Sequence, residues 1–480
     1  MFLKQFFVEG LGHASYLIGS DQTGEAAVVD PRRDTDEYLR AASEAGLRIR
    51  YVLETHVHND FLSGAKAIAD QLGADYVASA EGGLKMPYHA VREGDVLEMG
   101  EIHVRVLFTP GHTPEHVSYV VSDTSRADTP VLVFTGGDLL VGSVGRPDLL
   151  GIELGRTLAP KLYDSLFHKL LRLEDYVEVL PTHGAGSLCG RSISTKRTTT
   201  IGYERRFNPF LQKSEPGEFV EFVLSGNPHV PAYYRNMRPG NQQGADGFTA
   251  PAPRPLGLDE VRRAAGHDAL VLDTRSAEAF LAGHIEGAYG VGLGPMLATW
   301  VGILLPHDVP LILVLERAED WDGIVTALGR IGYDQVLGYL QGGMELWKER
   351  GLPLAHVDQA DVHDLTQRLS SLHVLDVRME SEWATGHIKG AQRIPLHELP
   401  ARLAEVDLTQ PTAVVCGSGY RSSIATGILQ RAGAQQLTNA LGGMTAWVAA
   451  KLPLEQGESV GEKQRAEPDA AALTVAAAGH

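Results

Sequence analysis

The sequence predicts a multidomain α/β protein, and three observations lead to that reading. The chain has 480 residues, too many for one hydrophobic core of ordinary size, so about three domains are expected. Short apolar runs of strand character alternate with amphipathic helical stretches, the rhythm of parallel sheets covered by helices. The second half is also written twice. LDTRSAEAFLAGHIEGAYGV from Leu272 returns as LDVRMESEWATGHIKGAQRI from Leu375, and YLQGGMELWKERGLPL from Tyr339 returns as NALGGMTAWVAAKLPL from Asn439. Two sister domains of about a hundred residues follow.

The opening MFLKQFFVEGLGHASYLIG is interrupted by Glu9, Gly10 and Gly12. It has no long apolar block leading to a small-residue cleavage site, so it reads as a first strand and not as a targeting signal. The first domain is expected over residues 1–245. GADGFTAPAPRPL, residues 244–256, is rich in Pro, Gly and Ala and reads as an extended linker. The sisters are expected over 256–355 and 358–455. Residues 456–480 offer few large apolar side chains to bury, and a disordered tail is expected there.

Composition narrows the class. With 44% apolar and 21% charged residues the chain is globular, and no uninterrupted apolar run reaches the length of a membrane span. Against 60 acidic residues stand 42 basic ones, a formal charge of −18. That balance repels nucleic-acid phosphates and anionic lipid surfaces, so neither is an expected partner. Two cysteines, Cys189 and Cys416, make no disulfide framework. They fit a reducing compartment, the cytoplasm by default, where a thiol stays available for chemistry.

In the first domain, four apolar β-type runs each end on a candidate metal ligand. YVLETHVHND places His56 and His58 two residues apart, VLFTP leads to His112, VLVFTGG to Asp138, and VEVLPT to His183. Metal ligation needs such convergence at strand ends. The segments THVHND, TPGHTPEHVSY, GGD and PTHGAGS resemble the metallo-β-lactamase superfold over roughly residues 1 to 245. That resemblance implies an αββα sandwich with its metals along the sheet edges.

The departure is informative. Hydrolases of this superfold usually read His-x-His-x-Asp-His, and here Phe61 stands where the last histidine would be. A dinuclear hydrolase needs both ions to hold and split a bridging water, so the loss argues for one metal. Two imidazoles and a carboxylate on one face of an ion leave positions open for substrate and dioxygen, as in non-haem Fe(II) oxygenases. His56, His112 and Asp138 fit that pattern.

The sequence resembles the persulfide dioxygenase branch, and the resemblance implies one Fe(2+) per chain on those three residues, with zinc as the competing ion. It leaves His58, Asp60 and His183 as supporting groups or the remnant of a second site. Arg146 could hold a substrate carboxylate by a bidentate pair. Arg205 resembles a glutathione-contacting arginine of this branch, and Cys189 is a candidate for the cleft wall.

In the C-terminal sister, PTAVVCGSGYRSSIATGIL carries an apolar strand ending at Cys416, a glycine-bearing loop, and a helix expected from near Ser422. Successive backbone N–H groups and the helix dipole favour an anionic sulfur there. Gly417 and Gly419 permit the curl, Ser418, Tyr420 and Ser422 complete the loop, and Arg421 adds positive charge. With LDVRMESEW, GHIKGA and LGGMTAW, this loop resembles the rhodanese family of sulfurtransferases, and Cys416 is the implied persulfide carrier. The middle sister reads PLILVLERAEDWDG at the same place and has no cysteine. It reads as an inactive copy kept for packing, spacing or subunit contacts. Trp347 and Trp447 are expected core anchors.

The resemblances together imply a bifunctional sulfur enzyme. It would oxidise a low-molecular-weight persulfide such as glutathione persulfide with O2 to sulfite, and pass sulfane sulfur through Cys416 with thiosulfate as substrate or product. A homo-oligomer, dimer or tetramer, is expected. The alternatives are a dinuclear zinc thioesterase of the glyoxalase II type, or a sulfur carrier whose metal is structural.

Overall fold

The computed structural model describes residues 1–456, so the expected tail at 456–480 lies, but for its first residue, outside the described residues. Among them no helix is long and apolar enough to cross a membrane. Contacts divide the chain into two compact units: Met1–Ser276 with Val291–Arg350, and Ala277–Gly290 with the chain from Gly351 onward.

The N-terminal part of the first unit has two six-stranded sheets. One contains β1 (Phe2–Val8), β2 (His13–Gly19), β3 (Glu25–Val29), β4 (Arg48–Leu53), β5 (Asp75–Ser79) and β6 (His89–Val91), in that spatial order. The other contains β7 (Val96–Met99), β8 (Ile102–Phe108), β9 (Val117–Asp123), β10 (Pro130–Gly136), then, after the short pair β11 (Leu139–Leu140) and β12 (Ser143–Val144), β13 (Glu178–Pro181) and β14 (Thr199–Thr200). Its spatial order is β14-β13-β10-β9-β8-β7.

Alternate residues of both sheets meet in one apolar layer, with Tyr16, Ile18 and Leu53 facing Val104, Tyr119 and Phe134. Sheet faces turned outward are covered by helices, because strands with apolar residues on both sides must be buried twice. α1 (Asp36–Glu44) and α2 (Ala65–Leu72) cover the first sheet through Tyr38, Ala41 and Ile68. α3 (Ile152–His168) and α5 (Pro216–Leu224) cover the second through Leu162, Leu166 and Phe219. Between and after these come α4 (Ile201–Phe207) and α6 (Tyr234–Gln243). The result is an αββα sandwich, and the parallel pairs β3/β4 and β10/β13 end on the same edge.

The linker is extended but not free. Phe248 N–H donates to the Arg33 carbonyl and the Trp321 indole N–H donates to the Pro251 carbonyl at 2.8 Å each. The first repeat contributes parallel strands Pro255–Leu256, Val336–Leu340, Leu311–Val314 and Leu270–Asp273 to this unit. Its segment Ala277–Gly290 belongs to the second unit. There the last repeat forms a five-stranded parallel sheet ordered Asp358–Ala360, Leu437–Ala440, Thr412–Val415, His373–Asp376 and Gln392–Arg393. Trp347 and Trp447 are buried, as anchors of their repeats should be.

Candidate metal centre and cysteine loop

The strand ends expected to carry ligands converge on a buried imidazole cluster. His56 and His58 follow β4, His112 lies in the β8–β9 turn, Asp138 follows β10 and His183 follows β13. Ring centroids of His56 lie 4.3 Å from His58, 5.0 Å from His112 and 5.4 Å from His183. Among the described residues, potential ligand atoms gather within 4.8 Å of one another in three threesomes, His56 with His58 and His183, His112 with His183 and Cys189, and Asp30 with Glu54 and His58; His183 belongs to the first two. That places His183 closer to the centre than a supporting group would be.

Close packing permits this convergence. Gly136 has φ +51°, and a Cβ there would lie 2.4 Å from His116 Nε2. A Cβ on Gly137 would lie 2.2 Å from the His112 ring. The β10–β13 register shifts between Phe134 and Gly136, just before Asp138, whose Oδ1 accepts from His112 N–H at 3.0 Å.

Two tautomers can be read from the hydrogen bonds. His112 Nδ1–H donates to the Arg146 carbonyl at 2.9 Å, which leaves Nε2 with a bare lone pair. Thr55 donates its hydroxyl proton to Asp30 Oδ2 at 2.8 Å and its amide to Asp30 Oδ1 at 2.7 Å. Its free lone pair therefore accepts His56 Nδ1–H at 2.9 Å, and His56 Nε2 points inward, 3.4 Å from His183 Nε2. Such outer hydrogen bonds orient metal-binding imidazoles.

The buried atoms left without partners fit a cation. They include His112 Nε2 and Asp60 Oδ1, whereas Asp138 Oδ2 lies 3.3 Å from His116 Nδ1 and Asp60 Oδ2 lies 3.4 Å from His183 Nδ1. Burial, reinforced by neighbouring imidazoles, holds His56 and His112 well below the ordinary histidine range, so both rings are neutral. Burial raises the Asp138 carboxyl well above its usual range, the signature of a carboxylate lacking a positive neighbour. The donor set of nitrogen and oxygen suits iron or zinc.

The remaining cluster residues are differently engaged. Burial opposes charge on His58, but Glu54 and Asp30 outweigh it and push its pKa up to about 10. Its Nε2 lies 2.9 Å from Glu54 Oε2 and 3.3 Å from Asp30 Oδ1. Phe61, fully buried, packs at 4.0 Å from the His13 ring and 4.4 Å from that of His58. An apolar ring thus fills the ligand position. Asp60 faces His183 at 3.4 Å.

His116 accepts from Gly137 N–H at 3.0 Å and donates through Nδ1 to Thr109 at 2.9 Å, so both nitrogens serve the scaffold. Cys189 is buried, with Sγ 3.8 Å from the Tyr234 hydroxyl.

Both arginines expected to bind substrate are engaged within the chain. Arg146 pairs with Asp148 at 2.7 and 2.8 Å and also donates to the Pro228 carbonyl. Arg205 contacts the carbonyls of Leu171 and Leu173 and the carboxylate of Asp175, none of them in the cluster.

Sequence reading missed Asp30, although AAVVD ends a strand on a carboxylate just as VLVFTGGD does. It also missed Glu115, Arg238 and Asn241. Glu115 accepts from Val57 N–H at 2.9 Å and from both terminal nitrogens of Arg238. Asn241 donates to the carbonyls of His58 and Phe61 at 2.9 and 2.8 Å and accepts from Ser63 N–H at 2.8 Å. No local pattern marks such residues, since their targets are backbone groups far away in sequence.

In the second unit, Cys416 directly follows the strand Thr412–Val415 and is 1% exposed. The following helix runs Tyr420–Arg431, two residues earlier than expected, with Gly419 in the left-handed region at φ +109° as its cap. Gly419 N–H donates to Cys416 Sγ at 3.1 Å and Ser422 Oγ lies 3.4 Å from it. Gly417 and Tyr420 are partly exposed and Ser418 forms the open tip. Arg421 does not stand free beside the sulfur, because Glu382 takes its fork at 2.6 and 2.7 Å.

Gly443 packs under the loop, where a Cβ would lie 2.4 Å from the Cys416 carbonyl. Leu315 ends the equivalent strand of the first repeat, a 3-10 turn spans Ala318–Asp320, and a Cβ on Gly343 would meet nothing within 4 Å. The inward-curled loop is absent from that copy.

Two mixed sheets between helices, with imidazoles at the strand ends, define a metallo-β-lactamase-fold protein, here joined to two rhodanese-like domains. The Metallo-beta-lactamase superfamily matches residues 8–183 and the Rhodanese-like domain matches residues 258–350 and 359–450. Over 247 residues the chain is 30% identical to the Bos taurus mitochondrial protein named persulfide dioxygenase ETHE1, and over 249 residues 31% identical to that of Homo sapiens. Each match covers 50% of this chain and 89% of the relative. A crystal structure of a metallo-beta-lactamase from Staphylococcus aureus COL shares 35% identity at a TM-score of 0.65, covering 70% of this chain and 98% of that one. The chain belongs to the ETHE1 family of the metallo-β-lactamase superfamily, extended by tandem rhodanese-like domains.

Proposed function

We propose that this chain is a bifunctional enzyme of sulfur metabolism, a persulfide dioxygenase fused to a sulfurtransferase. The observation that carries the reading is the buried His112 Nε2, an acceptor without a hydrogen-bond partner beside His56, with Asp138 bound to the His112 amide and Phe61 filling the next ligand position. His56, His112 and Asp138 would hold one Fe(2+), which supplies redox activation of dioxygen that zinc lacks. His183, Asp60 and Cys189 line the same space.

The chain's own residues set up the reaction. The Arg146 carbonyl and the Asp30–Thr55 relay fix the two imidazoles in their neutral ligating tautomers. Burial of the cluster excludes water from a reactive sulfur. The overall change is persulfide plus dioxygen plus water to thiol, sulfite and two protons; the sulfane sulfur gives up four electrons and dioxygen takes them.

At the second site, the Cys416 thiolate attacks the outer sulfur of thiosulfate and displaces sulfite. The new Cys–S–S⁻ is held by Gly419 N–H and Ser422, and an acceptor thiolate then removes the outer sulfur and restores the cysteine. The reading takes glutathione persulfide as a representative substrate, the cytoplasm as the location and a homo-oligomer as the working form.

An oxygen electrode tests it. Iron-loaded protein given glutathione persulfide should consume dioxygen and release sulfite, and S-lactoylglutathione should not be cleaved. Thioester cleavage with two zinc ions bound and no oxygen uptake would replace this reading with the hydrolase.

A further inference from the structure

The cysteine-less repeat touches the metal-binding loop itself. His58 to Ser63 follows β4 as irregular chain, and its buried backbone groups need partners. Asn241 supplies three of them from within the N-terminal domain. Leu62 N–H instead donates to the carbonyl of Arg330, 2.8 Å away, in the turn that follows the helix Trp321–Gly329 of the first repeat. The Leu62 carbonyl accepts from Arg33 N–H at 3.2 Å.

Side chains lock the same turn in place. Arg330 forks onto Asp34 at 2.9 and 2.7 Å. Arg33 reaches the Gly329 carbonyl at 2.9 Å and Asp334 at 2.8 Å. Arg33 is 5% exposed, so its buried guanidinium needs these partners. Two consecutive residues after β3 therefore grip a turn of the repeat, and that turn holds the amide next to Phe61. Gly332 fits beside Leu62, whose Cδ1 would be 3.2 Å from an added Cβ.

We infer that the cysteine-less repeat is a positioning element for the metal centre, holding the His58–Ser63 loop in register through Arg330. Phe61 separates His13 from His58, and Asp60 faces His183. A shift of the Leu62 amide therefore moves groups on both sides of the cluster, where displacements near 1 Å are costly.

The inference rests on the metal-centre reading but is tested apart from the oxidation. Full-length apo-protein is titrated with cobalt(II), whose visible spectrum reports ligand geometry whether or not persulfide is oxidised. Arg330→Met should weaken cobalt binding about ten-fold and alter the ligand-field bands. Arg330→Lys should restore most of the affinity, and thiosulfate turnover at Cys416 should not change. A folded Arg330→Met protein with wild-type affinity and spectrum would overturn the inference. Should that variant fail to fold, Asp334→Asn takes its place: a weaker, altered cobalt site supports the proposal and an unchanged one rejects it. Absence of iron-dependent oxygen uptake in the wild type would defeat the dioxygenase reading and leave the cobalt result standing.

Discussion

His112 Nδ1 and the Arg146 carbonyl oxygen lie 2.9 Å apart, and that single bond decides which nitrogen of His112 faces the cluster. Arg146 is in turn immobilised by Asp148, so a largely buried ion pair holds the carbonyl that sets the His112 tautomer.

Asp148→Asn should loosen that carbonyl and lower Fe(II) affinity about 10–100-fold, the usual cost of losing a ligand's outer partner. Competition with a chromophoric chelator measures it. Unchanged affinity would mean that the His112 ring is held by packing alone.

Thr55 relays Asp30 to His56. Thr55→Val removes the relay at nearly constant volume and should weaken iron binding by about ten-fold, while Thr55→Ser should keep most of it. Equal affinities for the two variants would count against the relay.

Phe61→His puts an imidazole in the ligand position that the Phe61 ring fills. Metal analysis after zinc loading should then find two ions per chain, against one in the parent protein. A variant that still binds one would show that Glu54 and Asp30, by engaging His58, and not Phe61, prevent the second site.

Much of this was legible from the chain. A strand-end residue leaves a local signature, so His56, His112 and His183 could be named and their rings lie together, while Asp138 sits against the His112 amide and His116. The Cys416 loop was equally readable because strand, glycines and helix are contiguous. The guanidinium partners were not. Arg146 and Arg205 looked free in sequence, and only folding brings Asp148, Asp175 and distant carbonyls to them. Asp30 carried the same strand-end signature as Asp138 and was overlooked. Asn241 and Arg330 act on backbone groups from other elements, a relationship that no spacing rule encodes.

Cys416→Ser should abolish thiosulfate-linked sulfur transfer and leave oxygen uptake with added persulfide largely intact. Parallel assays of the two activities check it. Equal loss of both would indicate obligatory relay from one site to the other.

Burial raises the Glu382 carboxyl, but Arg421 outweighs it and holds the group below its ordinary 4.5. A depressed carboxylate stabilises the fold fully above that ordinary value and loses its contribution as pH falls through the folded one. Wild type should therefore melt above Glu382→Gln near neutral pH, and the gap should close as pH falls through the depressed value of the folded state. A melting-temperature gap that persists in acid would contradict this.

The central claim is a single redox-active ion on His56, His112 and Asp138. It is tested most directly by titrating apo-protein anaerobically with Fe(II) and then measuring persulfide-dependent oxygen uptake. Uptake should rise linearly and break at one equivalent per chain, stay absent with zinc, and vanish in His112→Ala. Full activity with zinc, or activity that survives His112→Ala, would contradict the account.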